Sequence, residues 1–173
     1  MILFFKNEYK IQYGQKSLKE IGNPISKYYG SQEKVKMVFY EINELDRELV
    51  NIALETLKKN FDDGIYHHTV GAAVRCKNGN VYSGVNCDGL HGSCAEYITM
   101  GIAISKGERE FETIVAVHDK APNCLFSPCG NCRQMLYEYC PEIMVILNND
   151  NGEIVKVKAK DLLPFAWKRV DCD

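Results

Sequence analysis

The sequence predicts an α/β fold in three layers, α/β/α, with helices on both faces of a mixed sheet of about five strands. Three observations carry this. Two short, uninterrupted apolar runs, 114–117 and 143–147, suit central strands covered on both faces. An amphipathic helical pattern at 44–59, and helical segments beginning at Cys94 and Gly130, supply the covering layers. The short turn 148–152 is followed at once by the strand segment 154–157. A link this short makes the last two strands antiparallel, because a parallel neighbour needs a crossover of about a dozen residues or more.

Taken in order, residues 1–43 hold a short apolar opening, many tyrosines and lysines, and a Gly22-Asn23-Pro24 turn signal. No repeat or linker marks them as a domain. They read as an extension of unknown role, packed on the core or on a neighbouring subunit. Asn43 is placed to cap the helix that starts at Glu44, with Asp46 and Glu48 near its positive end. Leu45, Leu49, Ile52, Ala53 and Leu57 form its expected apolar stripe. Residues 69–76 read as a strand with Val70, Ala72 and Val74 on one face. The tight-turn dipeptide Asn78-Gly79 leads into a second strand at 81–85. The helix 94–105 is apolar nearly all round, as expected of one lying against both the sheet and a partner chain. The helix 130–139 stops before Pro141.

At 173 residues the chain is long enough to bury one substantial core. A net charge of -2 argues against holding a nucleic-acid backbone by bulk charge. The eight cysteines come with no secretory signal: the opening Ile2-Leu3-Phe4-Phe5 is short and runs at once into Lys6-Asn7-Glu8. No run approaches a membrane span. The expectation is a cytoplasmic protein with reduced thiols, without a membrane or nucleic-acid partner.

The chemistry concentrates in Cys94-Ala95-Glu96 and Pro128-Cys129-Gly130-Asn131-Cys132. Three thiols, Cys94, Cys129 and Cys132, can bind zinc and leave a fourth position open to water, the pattern of a catalytic site. Glu96, two residues beyond the first thiol, is placed to serve as a base beside the metal. Taken alone, Cys129 and Cys132 also fit a structural zinc or a redox pair. Cys94 and Glu96 at a helix start shift the balance towards catalysis, because unpaired N–H groups and the helix dipole stabilise thiolates there. Three thiolates on zinc leave a charge of -1 at the site, and Arg133 is the candidate cation to offset it.

These motifs resemble the cytidine deaminase superfamily over 70–167. The segments Ser83-Gly84-Val85-Asn86, Gly92-Ser93-Cys94-Ala95-Glu96, Ser127 to Gln134 and Leu162-Leu163-Pro164 are most similar to its small nucleoside deaminase branch, which includes homotetrameric cytidine deaminases and the blasticidin S deaminases. The resemblance implies a zinc-dependent deaminase domain at 44–173 that hydrolyses a cytosine nucleoside or analogue to the uracil form and releases ammonia. It implies that Glu96 is the catalytic acid and base. It places Asn86 and Asp88 where the family's Asn-x-Glu holds a nucleoside, here with an acid one methylene shorter. The resemblance also implies that Ala95 and Ser127 present backbone groups to the base, that His68 lies near a stacking position, and that Trp167 falls among C-terminal aromatics that close over a site. Tyr97 stands where related cytidine deaminases often carry an arginine. The resemblance further implies a homotetramer. Another amino-heterocycle as substrate, a redox module, and a zinc-binding protein that retains the fold without turnover all stay open on the sequence.

Overall fold

The computed structural model describes residues 37–119 and 125–168. The first 36 residues, and with them most of the expected extension, lie outside the described residues, as do Cys124 and Cys172. The elements run α1 (Glu44–Asn60), β1 (Val70–Cys76), β2 (Val81–Val85), α2 (Ala95–Ser105), β3 (Phe111–His118), β4 (Leu125–Phe126), α3 (Gly130–Tyr139), β5 (Met144–Asn148), β6 (Ile154–Lys158) and a 3-10 helix (Ala159–Leu162).

The strands form one mixed sheet in the order β2-β1-β3-β5-β6, with the two-residue β4 paired to β3. The five expected strands are all present, and β4 is the addition. Among the described strands only β3 and β5 are parallel; α3 lies in the connection between them, and the short turn makes β5 and β6 antiparallel.

Alternation along the strands divides the core. Ala73, Val115, Val117 and Ile146 meet α1 on one face. Val74, Ile114, Val145 and Leu147 meet Met100 of α2 and Met135 and Leu136 of α3 on the other. This is the three-layer arrangement. The stripe of α1 differs in part from the expected one: Leu49, Val50, Ala53, Leu54 and Leu57 are buried, while Leu45 and Ile52 face outward. The helix is rotated so that Ala53 and Leu57 lie directly over Gly71 of β1. A Cβ there would come within 2.6 Å of the Ala53 carbonyl oxygen, so glycine is what allows α1 this close.

Asn43 caps α1 as its sequence position predicts, and Asp46 completes a capping box by accepting from the Asn43 N–H at 3.0 Å. Asp46 also has a second role. Fully buried, it pairs with Arg75 of β1 at 2.9 Å and Lys156 of β6 at 2.6 Å, tying the start of α1 to two strands. Burial opposes ionisation of Asp46, but Lys156, the Asn43 N–H and Arg75 outweigh it and hold the carboxyl below its ordinary range.

Candidate active site

One end of the sheet gathers the functional residues. Val70 at the start of β1 pairs with His118 at the end of β3, and Gly71 pairs with Val85 at the end of β2. The carboxyl ends of the parallel pair β3 and β5 therefore open on the same side as the loops entering α2 and α3. Such an edge is where open α/β sheets form ligand crevices.

Cys94 is the N-cap of α2 and Cys129 the N-cap of α3, both with extended backbone. Neither residue offers its helix a capping oxygen. Cys132 sits in the first turn of α3, fully buried. The three sulfurs lie within 4.8 Å of one another, with Cys94 Sγ and Cys129 Sγ 3.6 Å apart. Sulfurs sharing one zinc ion at about 2.3 Å in tetrahedral geometry stand about 3.8 Å apart, so the donor set fits such an ion. Burial, followed by the Glu96 charge and the neighbouring thiols, pushes Cys132 strongly upward. Burial also resists ionisation of Cys129, but backbone N–H groups of Cys132 and Asn131 and the adjoining thiols bring it below its ordinary value. Three sulfurs converging in this way form a donor set that could hold a metal ion.

Glu96 lies in the first turn of α2 and is only 6% exposed. Burial raises its carboxyl above the ordinary range, against the opposing pull of its own backbone N–H and the Cys132 thiol. It lines, together with Cys94 and Cys129, a cavity of about 360 Å³. A buried carboxyl with a raised pKa, facing a cavity beside three thiols, is suited to taking up and returning a proton.

The other residues expected at the site are distributed unequally. Asn86, Asp88, Ala95 and Ser127 all line the cavity. The Asn86 side chain is largely engaged with backbone: Oδ1 accepts from the N–H groups of Thr69 and Val70 at 2.9 Å each, and Nδ2 donates to the His67 carbonyl at 2.7 Å. It fixes the entry to β1 and has one amide N–H left over. Asp88 is exposed, in a loop closed by the paired backbone bonds between Cys87 and Ser93. His68 is bonded through Nδ1 to the Asn86 carbonyl at 2.8 Å and stacks on Tyr66, with ring centroids 5.9 Å apart. It is not among the cavity-lining residues, and neither is Trp167, a residue 63% exposed. Arg133 hydrogen-bonds to oxygen atoms only. Tyr97 Oη donates to Asn131 Oδ1 at 3.3 Å, joining the two cysteine-bearing helices.

The sequence reading missed Phe126 and Val70 as cavity walls. Phe126 immediately precedes Ser127-Pro128-Cys129, so its adjacency to the motif was an available signal. Val70 shares a strand face with Ala72 and Val74, and only the sheet register places it at the open edge.

Known proteins match this arrangement. The model of the cytidine and deoxycytidylate deaminase zinc-binding region matches residues 43–148. A blasticidin-S deaminase from Bacillus cereus is 36% identical over 142 residues, 77% of this chain and 99% of that protein. A cytidine deaminase from Sporosarcina psychrophila is 37% identical over 107 residues, 59% of this chain and 76% of that protein. The crystal structure of cytidine deaminase from Burkholderia pseudomallei superposes with a TM-score of 0.58 at 29% identity, covering 73% of this chain and 100% of that one.

Proposed function

The chain belongs to the cytidine and deoxycytidylate deaminase family, and we propose that it hydrolyses the exocyclic amine of a cytosine nucleoside or nucleoside analogue. The observation that carries this is the buried Glu96 carboxyl on the wall of the 360 Å³ cavity, beside three converging thiols. Cys94, Cys129 and Cys132 would hold zinc, which when bound supplies a water acidified to near neutrality as the nucleophile.

The chain's own residues then do the following. Glu96 accepts the proton of the attacking water and delivers it to ring N3 while C4 is attacked. It next carries a proton to the departing amine, so that ammonia and a uracil-like product leave. The raised pKa of Glu96 suits both halves of this task. Ala95 and Ser127 both line the cavity, and in this reading their backbone groups meet the base. Asn86 keeps one amide N–H for a sugar, and Asp88 at the loop offers a carboxylate free of hydrogen-bond and ion-pair partners among the described residues. His68 acts one step removed, by holding the Asn86 backbone.

A homo-oligomer, in the form of a tetramer, is part of the same reading. Its support is α2, which buries Ala95, Thr99, Met100 and Ala103 but leaves Ile102 36% exposed and Ile98 and Ile104 partly so. In an assembly, the exposed Trp167 is available to close a neighbouring subunit's cavity. A cytoplasmic setting would keep the three thiols reduced.

The test is incubation of the purified protein with cytidine, deoxycytidine and blasticidin S, following ultraviolet absorbance and ammonia release, with Glu96→Ala as control. Turnover that vanishes in the variant supports the reading. A zinc-loaded protein that turns over none of the three contradicts it.

A further inference from the structure

Directly after the ligand Cys132 come two polar residues, Arg133 and Gln134, and both reach out of α3 to the chain's C-terminal segment. The Arg133 guanidinium donates from Nε to the Pro128 carbonyl at 2.8 Å, from Nη2 to Ser127 Oγ at 2.9 Å and from Nη1 to the Leu162 carbonyl at 3.1 Å. Gln134 grips Trp167 from both sides of one amide: Nε2 donates to the Trp167 carbonyl at 2.9 Å, and Oε1 accepts from the Trp167 N–H at 3.1 Å. We propose that these two residues clamp the segment 162–167 to the loop 127–129, making that segment a working part of the metal site, and that Arg133 acts through the shape of its fork and not through its charge. This rests on the metal reading of the three thiols.

Pro128 is where the clamp meets the metal site. Its carbonyl belongs to the peptide plane that leads into Cys129, so a donor fixing that oxygen fixes the approach of the Cys129 backbone, with φ of -66° and ψ of 169°, and hence the aim of its sulfur. The same guanidinium holds Ser127, a cavity wall. The third bond satisfies the Leu162 carbonyl at the end of the 3-10 helix, a group with no partner further along that helix. One rigid, planar group thus holds three oxygens on two separate segments. A lysine brings the same charge to a single point and cannot span the three.

Charge compensation is the competing role for Arg133, and its bonding pattern runs against it, since every hydrogen-bond partner is a neutral oxygen and none is a sulfur. Gln134 makes the argument independent of charge altogether. Beyond Leu162, the residues Pro164, Phe165, Trp167 and Lys168 are all exposed. With so little of this stretch buried, polar attachment of its backbone matters more than core packing, and Gln134 provides two such bonds. Together the two side chains attach the segment at both ends, Leu162 and Trp167, to the turn of α3 that carries Cys132.

The experiment uses the full-length zinc-loaded protein and measures the rate of zinc release to a chromogenic chelator, with the unfolding midpoint recorded in parallel. Supporting partners behind metal ligands typically contribute about tenfold to a hundredfold in metal affinity, which sets the scale. Arg133→Lys and Arg133→Gln are both expected to accelerate release to a similar extent, with altered sulfur-to-metal charge-transfer bands in the cobalt-loaded forms. Gln134→Ala, which changes no charge, is expected to accelerate release by a smaller factor while remaining folded. Release from Arg133→Lys at the wild-type rate, with Arg133→Gln fast, would assign Arg133 to charge and overturn the clamp. Wild-type release from Gln134→Ala would overturn the coupling to the C-terminal segment. A wild-type protein that takes up no zinc would remove the metal reading together with the clamp. That outcome is distinct, because it appears before any variant is compared.

Discussion

Three helices of this domain begin at a polar or sulfur-bearing residue, and they use their first backbone N–H groups in opposite ways. The start of α1 is closed upon itself: Asn43 and Asp46 cap each other, and Asp46 is sealed beneath Arg75 and Lys156. The starts of α2 and α3 are open. Their N-cap residues, Cys94 and Cys129, give no side-chain oxygen to the helix; both line the cavity, and at α3 the N–H groups of Asn131 and Cys132 face the Cys129 thiol. A capping oxygen stabilises a helix by roughly 0.5–2 kcal/mol, so the two cysteine helices forgo stability that α1 retains. In exchange, their unfilled dipole ends are available to anionic sulfur. The difference separates a region built for stability from one built for chemistry, and substitutions at the two kinds of helix start should fail in different measurements.

The largest effect is expected at the open end. Glu96→Gln should lower kcat by about 10²–10⁴-fold, the usual contribution of a general acid and base, and leave the thermal unfolding midpoint unchanged or raised. Neutral glutamine relieves the cost of a carboxylate buried at that site. Kinetics and calorimetry on one preparation check both halves, and residual activity near wild type would assign the proton transfer elsewhere.

At the closed end the pattern reverses. Asp46→Ala leaves Arg75 and Lys156 without their buried partner and should cost about 3–5 kcal/mol in denaturant unfolding, with kcat/KM of the folded protein preserved. The same carboxylate sets an acid limit. Its folded pKa lies below the unfolded value, so its contribution is complete above the unfolded pKa and is lost as pH falls through the lowered folded value. Unfolding free energy measured from neutral pH down through the carboxylate range should fall more steeply in the wild type than in Asp46→Asn. Equal slopes would mean that Asp46 is not the group responsible.

Two smaller changes sharpen the comparison without touching a charge. Gly71→Ala forces a methyl against the Ala53 carbonyl oxygen and Leu57 Cβ, at 2.6 and 2.8 Å, and should destabilise by about 1–3 kcal/mol as α1 is pushed off the sheet. Asn43→Ala removes one half of the capping box and should cost about 1 kcal/mol. Each is read from the denaturation midpoint, and a fall in kcat/KM of the folded protein would show that α1 is not independent of the site.

Legibility followed the range of the interactions. Helices and strands declared themselves because their signals are local: alternation in 70–76, the apolar runs in β3 and β5, the Asn43 cap and the stop before Pro141. The thiol cluster was legible because Cys129 and Cys132 share one helix turn and Cys94 heads another. Residues whose role depends on a distant partner were read less well. Asp46 looked like a dipole-complementing acid until Arg75 and Lys156 closed over it. Leu45 and Ile52 fitted the period of α1 but lie off the face that meets Gly71. Gln134 stood at the end of the motif 127–134 with no role assigned to it, since its bonds to Trp167 are to backbone far along the chain.

From the sequence alone come the order of the three helices and five main strands, the antiparallel final pair, and the pairing of three thiols with one carboxylate, because each is set by spacing along the chain. Tertiary structure alone decides the sheet register that brings Val70 to the cavity edge, the burial that raises Glu96, and the attachment of 162–167 beside Cys129. These depend on which segments meet in space, where burial removes water and fixed geometry converts a donor or a charge into a specific contact.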